Sequence, residues 1–513
     1  MQLIQPKDHG RREFLRRSGQ LAIAGSALPF ALNLAAVGEA AAQSATDYKA
    51  LVCVFLFGGC DYGNTVVTYD NPSYDAYSTI RGGAQGQMAG GIALAKSALT
   101  PTLLNPTTPL PDGRQYALHP AMTRMAALHA QGDAGVLLNV GPLIVPLTRA
   151  QFNANSRQNP RPPKLFSHND QTSTWQSSSP EGSIVGWGGH LGDLMQSRNS
   201  NAAFTCMSVA GNTVFLSGNN TVHYNLSTDG AIAINSVKNS VYGSSSVQAA
   251  ITQLVQQSSG HALENEYGQV VGRAISSEAQ ITSAKGATYP NGAPGTQGSF
   301  PYGQSTAVPY PPSSFPGLPY TSNPLASQLA MVARLIRGKD TLGAKRQVFM
   351  VSLGGFDLHD NLIANQPILL ARVSDAMAAF QAEMQMLGIA DQVTSFTASD
   401  FGRTLASNGD GVDHGWGNHH FIVGGAVKGK DRIYGKAPVV STNNDSKLDG
   451  YEGHVGQGRL IPGASVDQYA ATLAKWFGVS DTDMRTVLPN IGNFGGTDYP
   501  TDLGFMANGN SMS

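Results

Sequence analysis

Charge is scarce in this sequence. Lys, Arg, Asp and Glu make up 13% of the 513 residues, about half the share of an ordinary soluble domain. The 33 basic and 34 acidic side chains nearly cancel, leaving a formal net charge of −1. Nothing here provides the concentrated basic surface that binds nucleic-acid phosphates, so a nucleic-acid partner is not expected. Cysteine is scarcer still, with only Cys53, Cys60 and Cys206, an odd number that rules out a disulfide framework. Cys53 and Cys60 are the closest pair and leave room for one bridge after export. If Cys53 lies within a strand, it acts instead as a small buried hydrophobe. Beyond the N-terminal region no run is apolar enough over about 20 residues to span a bilayer. The sequence does contain enough apolar residues, 41%, to build a core and exclude wholesale disorder. Its 59 glycines suggest long loops around that core.

The N-terminus carries an address. Arg11-Arg12 precede Phe14-Leu15, a moderately apolar stretch follows from Leu21 to about Val37, and Ala40-Ala41-Ala42 closes it. Basic, apolar and small-residue regions in that order form an export signal, and the arginine pair followed by Phe-Leu is the twin-arginine pattern. Gly25, Ser26, Pro29 and Asn33 interrupt the apolar run, which makes it weaker than a stable membrane span. Residues 1–42 are therefore expected to be a signal peptide and 43–513 a single domain. The twin-arginine translocase is the expected partner during export, and the periplasm or the cell exterior of a bacterium the destination. That route carries folded cargo, often with a cofactor already inserted, which favours a bound metal.

Along the remaining chain, Ala50–Phe57, Gly135–Val140, Gln347–Leu353, Val393–Ala398 and Phe421–Gly425 are short apolar runs of the kind found in buried parallel strands. Helical spacing appears over 119–131, 246–283, 325–338, 366–387 and 466–477, with apolar residues on one face of each helix. Residues 155–190 are expected to be loop or the wall of a site, and 196–242 to hold weak strands. Residues 286–323 are crowded with Pro, Gly, Ser and Tyr, the mark of a surface insertion. Strands alternating with long helices predict an α/β fold with a mostly parallel sheet sandwiched between helices. Ligands of such sheets bind beyond the carboxyl ends of the strands.

Those ends carry the chemistry. After the first strand comes Asp61 with Asn64 and Thr65; after the Gln347 strand come Asp357 and His359; after the Val393 strand come Asp400 and Arg403; and Asp413-His414 follow shortly after. Asp and neutral imidazole are ligands for Zn, Mn and Fe, so Asp61, Asp357, His359, Asp400 and His414 are the candidate metal ligands. Each has a plainer alternative. Asp61 can cap a helix, Asp357 and His359 can form a solvated turn, and Asp400 can pair with Arg403. His419 and His420 point to opposite faces if they begin a strand, so at most one faces the site. Ser167 to Gln171, with Trp175, form either a site wall or a structured loop.

Taken together these segments resemble the domain of unknown function 1501 family across nearly the whole chain. The matching elements are Gly58 to Asn64, Ser167 to Gln171, Gly354 to His359, Ser399 to Thr404, Asp413 to Gly417, and Arg459 to Gly478. That family looks like a branch of the alkaline-phosphatase and sulfatase superfamily. The resemblance implies an alkaline-phosphatase-like fold and a divalent metal (Zn, Mn or Ca) at the strand ends. The sequence departs from that pattern in placing Phe401 directly after Asp400, where the superfamily often has His, and in spacing Asp357 and His359 closely. No helix start with an evident nucleophile appears, and Thr65 and Ser167 are weak candidates. Two functions are in view. One is a metal-dependent hydrolase of phosphate or sulfate esters, with Arg403, Asn64 and His168 holding a small anionic substrate and Arg403 assisting catalysis. The other is a non-catalytic binding or assembly protein with a degenerate metal site.

Overall fold

The first strand shows how the sheet is built. β1 (Lys49–Leu56) is buried at every position after Lys49. Ala50, Val52, Val54 and Leu56 enter one apolar cluster, while Leu51, Cys53 and Phe55 enter the other. Successive side chains of a strand point to opposite faces, so this uninterrupted apolar run requires cover on both sides. The helices Pro324–Arg337 and Leu362–Met386 provide it on one face, and Trp187–Met195 and Val466–Phe477 on the other.

The computed structural model describes residues 48–83, 91–257, 261–287, 322–440 and 453–507. All of them belong to one compact unit, Asp47–Ser513. The expected signal peptide and nearly all of the Pro/Gly-rich insertion lie outside the described residues. In chain order the remaining strands are β2 (Val66–Thr68), β3 (Tyr116–Leu118), β4 (Ala134–Gly141), β5 (Cys206–Ser208), β6 (Tyr224–Ser227), β7 (Gly230–Ala231), β8 (Arg346–Leu353), β9 (Val393–Ser399), β10 (Asn418–Val423), β11 (Tyr434–Gly435) and β12 (Ala464–Ser465). β2 and β3 pair as a small separate sheet. The large sheet runs β11-β4-β10-β9-β1-β8-β5-β6-β7, with β12 also paired to β4. β9, β1, β8, β5 and β6 are mutually parallel, whereas β10 is antiparallel to both β9 and β4. The result is the mixed α/β sheet between helices that the sequence predicts.

The reversed direction of β10 places the site. Its N-terminal end lies at the same edge of the sheet as the C-terminal ends of β9, β1 and β8. The loop before β10, which carries Asp413 and His414, therefore meets the segments that follow β8 and β9.

Several expectations change. Residues 155–190 are not all loop: they hold the helices His168–Ser177 and Trp187–Met195. The first reads HNDQTSTWQS and has almost no apolar period, because its buried face includes Asp170, Gln171 and Gln176. The helix expected from 119 starts at Thr123, and the pattern over 246–283 forms two helices, Ser245–Gln256 and Ala262–Lys285. All three cysteines are buried and unpaired, so Cys53 is core and no bridge joins it to Cys60.

Candidate metal centre

Beyond β1 the chain turns at Gly58, whose φ of +112° suits glycine. A Cβ there would collide with the backbone nitrogen of Asp357, so the ends of β1 and β8 can approach closely only without a side chain. Ser399 ties in the third strand, donating to the Leu56 carbonyl (2.8 Å) and accepting from the Cys60 amide (2.9 Å).

Three donor atoms gather at this edge, with a fourth beside them. His414 Nε2 lies 3.1 Å from His168 Nε2, 3.0 Å from His359 Nε2 and 3.6 Å from Asp357 Oδ1. Asp357 Oδ1 lies 3.5 Å from His168 Nε2 and 3.2 Å from His359 Nε2. His168, Asp357 and His414 each offer one atom within 4.8 Å of the others, and His359 flanks the same Asp357–His414 edge. A tetrahedral ion with bonds of about 2.0–2.1 Å spaces its ligands about 3.3 Å apart, close to the 3.1, 3.5 and 3.6 Å within the His168–Asp357–His414 set, while His359 stands outside that set.

The second nitrogens explain why the first converge. His168 Nδ1 is 2.6 Å from Asp400 Oδ2, His359 Nδ1 is 3.3 Å from Asp413 Oδ1, and His414 Nδ1 is 2.7 Å from the Phe166 carbonyl. Each partner is an acceptor, so each Nδ1 carries the hydrogen and each Nε2 presents a lone pair. Lone pairs facing each other at 3.0–3.1 Å repel unless a proton or a metal cation sits between them, and a carboxylate or carbonyl behind each imidazole is the usual support of metal-ligating histidines. The donor set therefore fits a metal ion. Asp400 Oδ2 also accepts from the Gly58 amide (3.1 Å), while its Oδ1 is buried with no partner among the described residues.

Charge around the donors is finely arranged. The hydrogen bond to Asp400 holds the His168 imidazole above its usual pKa against the opposing effect of burial, and burial pushes His414 down. Burial also works to raise the Asp357 carboxyl, but its hydrogen bond to Arg403 and the nearby positive charges outweigh that and hold it low.

The other expected site residues lie differently. Arg403 is fully buried. Its Nε donates to Gly59 O (2.8 Å), its Nη1 to Val412 O (3.0 Å), and its Nη2 to Gly58 O and Asp357. It holds Asp357 in place and has no face left to clamp a substrate anion. Asp61 is not in the group: Arg81 meets both its oxygens at 2.8 and 2.6 Å, and it caps the amides of Gly63 and Asn64. Asn64 is buried between the Tyr77 hydroxyl (2.6 Å) and the Ile92 carbonyl (2.9 Å). Thr65 is buried and donates to Asp61 O (2.6 Å), so neither faces the cluster. Ser167 adjoins His168, and its hydroxyl donates to Asp170 (2.8 Å). His419 and His420 are core histidines, pushed down to about 4 and about 3 by burial. Sequence reasoning placed His168 with the substrate rather than among the donors, and it did not assign Asp413 or Phe166 their supporting roles. The only available sign was that Asp413 directly precedes His414.

A groove of about 560 Å³ opens beside the donors and is lined in part by His168, Asp357 and Asp400. A second cavity, lined by Tyr62, Tyr77, Tyr116 and Leu405 among others, includes none of the donors.

Comparison with known proteins gives little beyond the family. An alkaline phosphatase from the Antarctic bacterium TAB5 aligns with 9% identity and a TM-score of 0.26, over 76% of this chain and 94% of that one. No curated protein matches. Residues 48–450 match the family described as protein of unknown function (DUF1501), and the chain belongs to that family.

Proposed function

We propose that this protein is an exported, metal-dependent hydrolase of phosphate or sulfate monoesters. The carrying observation is the convergence of His168 Nε2, His414 Nε2 and Asp357 Oδ1, with both imidazoles oriented from behind. A nitrogen-rich set disfavours Ca, which takes oxygen ligands, and suits Zn first. Such an ion, when bound, supplies Lewis acidity and lowers the pKa of a coordinated water towards about 7.

The chain's own residues do the rest. Asp400, Asp413 and Phe166 fix the imidazoles, and Arg403 fixes Asp357. Hydrolysis adds water across the ester: the water oxygen joins phosphorus or sulfur, the bond to the alcohol oxygen breaks, and that oxygen gains a proton. For the anion's outer oxygens the candidate is Arg459. Its Nε donates to the His414 carbonyl (2.7 Å), and its Nη groups make no hydrogen bond among the described residues.

The test is metal analysis of the exported protein, followed by turnover of 4-nitrophenyl phosphate and sulfate. About one tightly held ion per chain is expected, with activity that a chelator abolishes and Zn restores. Bound metal with no turnover of either ester would favour the non-catalytic reading, and protein that binds no metal would sink both.

A further inference from the structure

The groove beside the donors has a chemical character of its own. The helix His168–Ser177 starts at the metal cluster and runs along this groove, and His168, Thr172 and Gln176 line it. Residues four apart share one face of a helix, so the residue that offers Nε2 to the metal begins a row of hydroxyl and amide groups. Asn169 and, just past the helix, Glu181 and Ser183 extend that row. The side chains of Asn169, Thr172 and Glu181 have no hydrogen-bond partner among the described residues. Phe57 adds an aromatic surface to the same groove and rests against Phe55, with ring centroids 4.5 Å apart.

No Lys or Arg is among the described residues lining the groove. The neighbouring guanidinium, Arg403, is buried and fully engaged. Arg403 already pairs with Asp357, so with a bound divalent cation the groups around the groove are about balanced in charge, and Glu181 is the carboxylate that lines the groove outside the cluster. The wall is thus about neutral with a local carboxylate at Glu181, carries groups that both donate and accept, and has one apolar ring. A volume of about 560 Å³ lies within the range of small-ligand clefts.

We propose that this groove receives an uncharged, polyhydroxylated sugar ring as the alcohol half of the ester. This rests on the hydrolase reading and extends it to substrate class. Sugar hydroxyls match the side chains of Asn169 and Thr172, Gln176 Oε1 being already held by the Thr213 hydroxyl and the Phe215 amide; the C–H face of the ring matches Phe57, and Glu181 repels an alcohol half that carries its own carboxylate.

The experiment uses Zn-loaded full-length protein and three kinds of ester: 4-nitrophenyl phosphate and sulfate, the 6-phosphate and 6-sulfate of glucose, and phosphoserine as an alcohol half bearing a carboxylate. The glucose esters are expected to exceed phosphoserine in kcat/KM by at least about tenfold. Thr172→Val should lower the ratio of glucose-ester to aryl-ester kcat/KM by about five- to tenfold, the loss of one hydrogen bond. Glu181→Gln should narrow the gap between glucose 6-phosphate and phosphoserine. Aryl turnover without a sugar preference, or with a ratio that Thr172→Val leaves unchanged, overturns the proposal and leaves the hydrolase reading standing. If no ester is turned over, the hydrolase reading fails, and calorimetry with a free neutral disaccharide decides the groove: binding that Thr172→Val weakens upholds it, and absence of binding overturns it.

Discussion

Asp61 and Asp357 look equivalent in the sequence, each an aspartate beyond a buried strand and a glycine pair, yet they have opposite fates. Asp357 keeps one oxygen among the imidazoles and is half exposed, whereas Asp61 is buried against a buried Arg81. The deciding partners are distant: Arg81 is 20 residues from Asp61, and Asp400, which orients His168, is 232 residues from it. No local pattern announces such pairs. That is why residue types and strand-end positions pointed to Asp357, His359 and His414 but could not separate ligand from ion-pair partner. The two roles predict opposite phenotypes. Asp61→Asn leaves a buried guanidinium unpaired and should cost about 3–5 kcal/mol of stability, with metal content of the folded protein unchanged. Asp357→Asn should cost much less stability and most of the metal. Urea denaturation alongside elemental analysis checks both, and loss of metal in a folded Asp61→Asn protein would return Asp61 to the site.

At the level of elements, the strands and most helices were legible because burial on both faces or on one face writes a period into the chain. β1, β8 and β9 are apolar runs for that reason. The helix His168–Ser177 was not legible, since its buried face is largely polar and its role is to aim His168. The antiparallel course of β10 was not legible either, because strand direction leaves no mark in composition. A buried polar group of the same kind gives the helix Val466–Phe477 a pH dependence. Its second residue, Asp467, is buried in the first turn, accepts from Ser178 (3.1 Å), and is pushed up to about 7 because burial outweighs its hydrogen bonds. A carboxyl with a folded-state pKa above its unfolded value of about 3.9 stabilises the fold fully only below that value. The contribution is lost as pH rises from about 4 to about 7 and is constant above. Asp467→Asn, which keeps an acceptor for Ser178, should therefore be more stable than the parent at pH 8 by up to about 4 kcal/mol. The difference should shrink towards nothing near pH 4. Urea midpoints at pH 4, 6 and 8 give the slope, and a difference independent of pH would mean that Asp467 is ionised in the folded protein.

For the whole molecule, the proposed export and the proposed metal are linked, because the twin-arginine route carries folded cargo. Replacing both Arg11 and Arg12 with Lys should leave the precursor in the cytoplasm, and cell fractionation showing normal export would discard that pathway. The proposed metal would have a wider reach than its donors suggest. Those donors and their supports come from segments at Phe166–His168, Asp357–His359, Asp400–Arg403 and Asp413–His414, so an ion there ties one helix start to three loops at one edge of the sheet. A ligand that binds only the folded state adds about 4 kcal/mol when present at a thousand times its Kd. In a domain of this size that amounts to a rise of about 4 °C in unfolding temperature. Chelator-treated protein should unfold that much earlier, recover on addition of Zn, and fail to recover on addition of Ca. His414→Ala should show the low midpoint with or without Zn. If chelation leaves the midpoint of the parent where it was while metal is shown to have left, the donors are held in place by Asp400, Asp413, Phe166 and Arg403 alone, and the ion has no part in holding the sheet edge together.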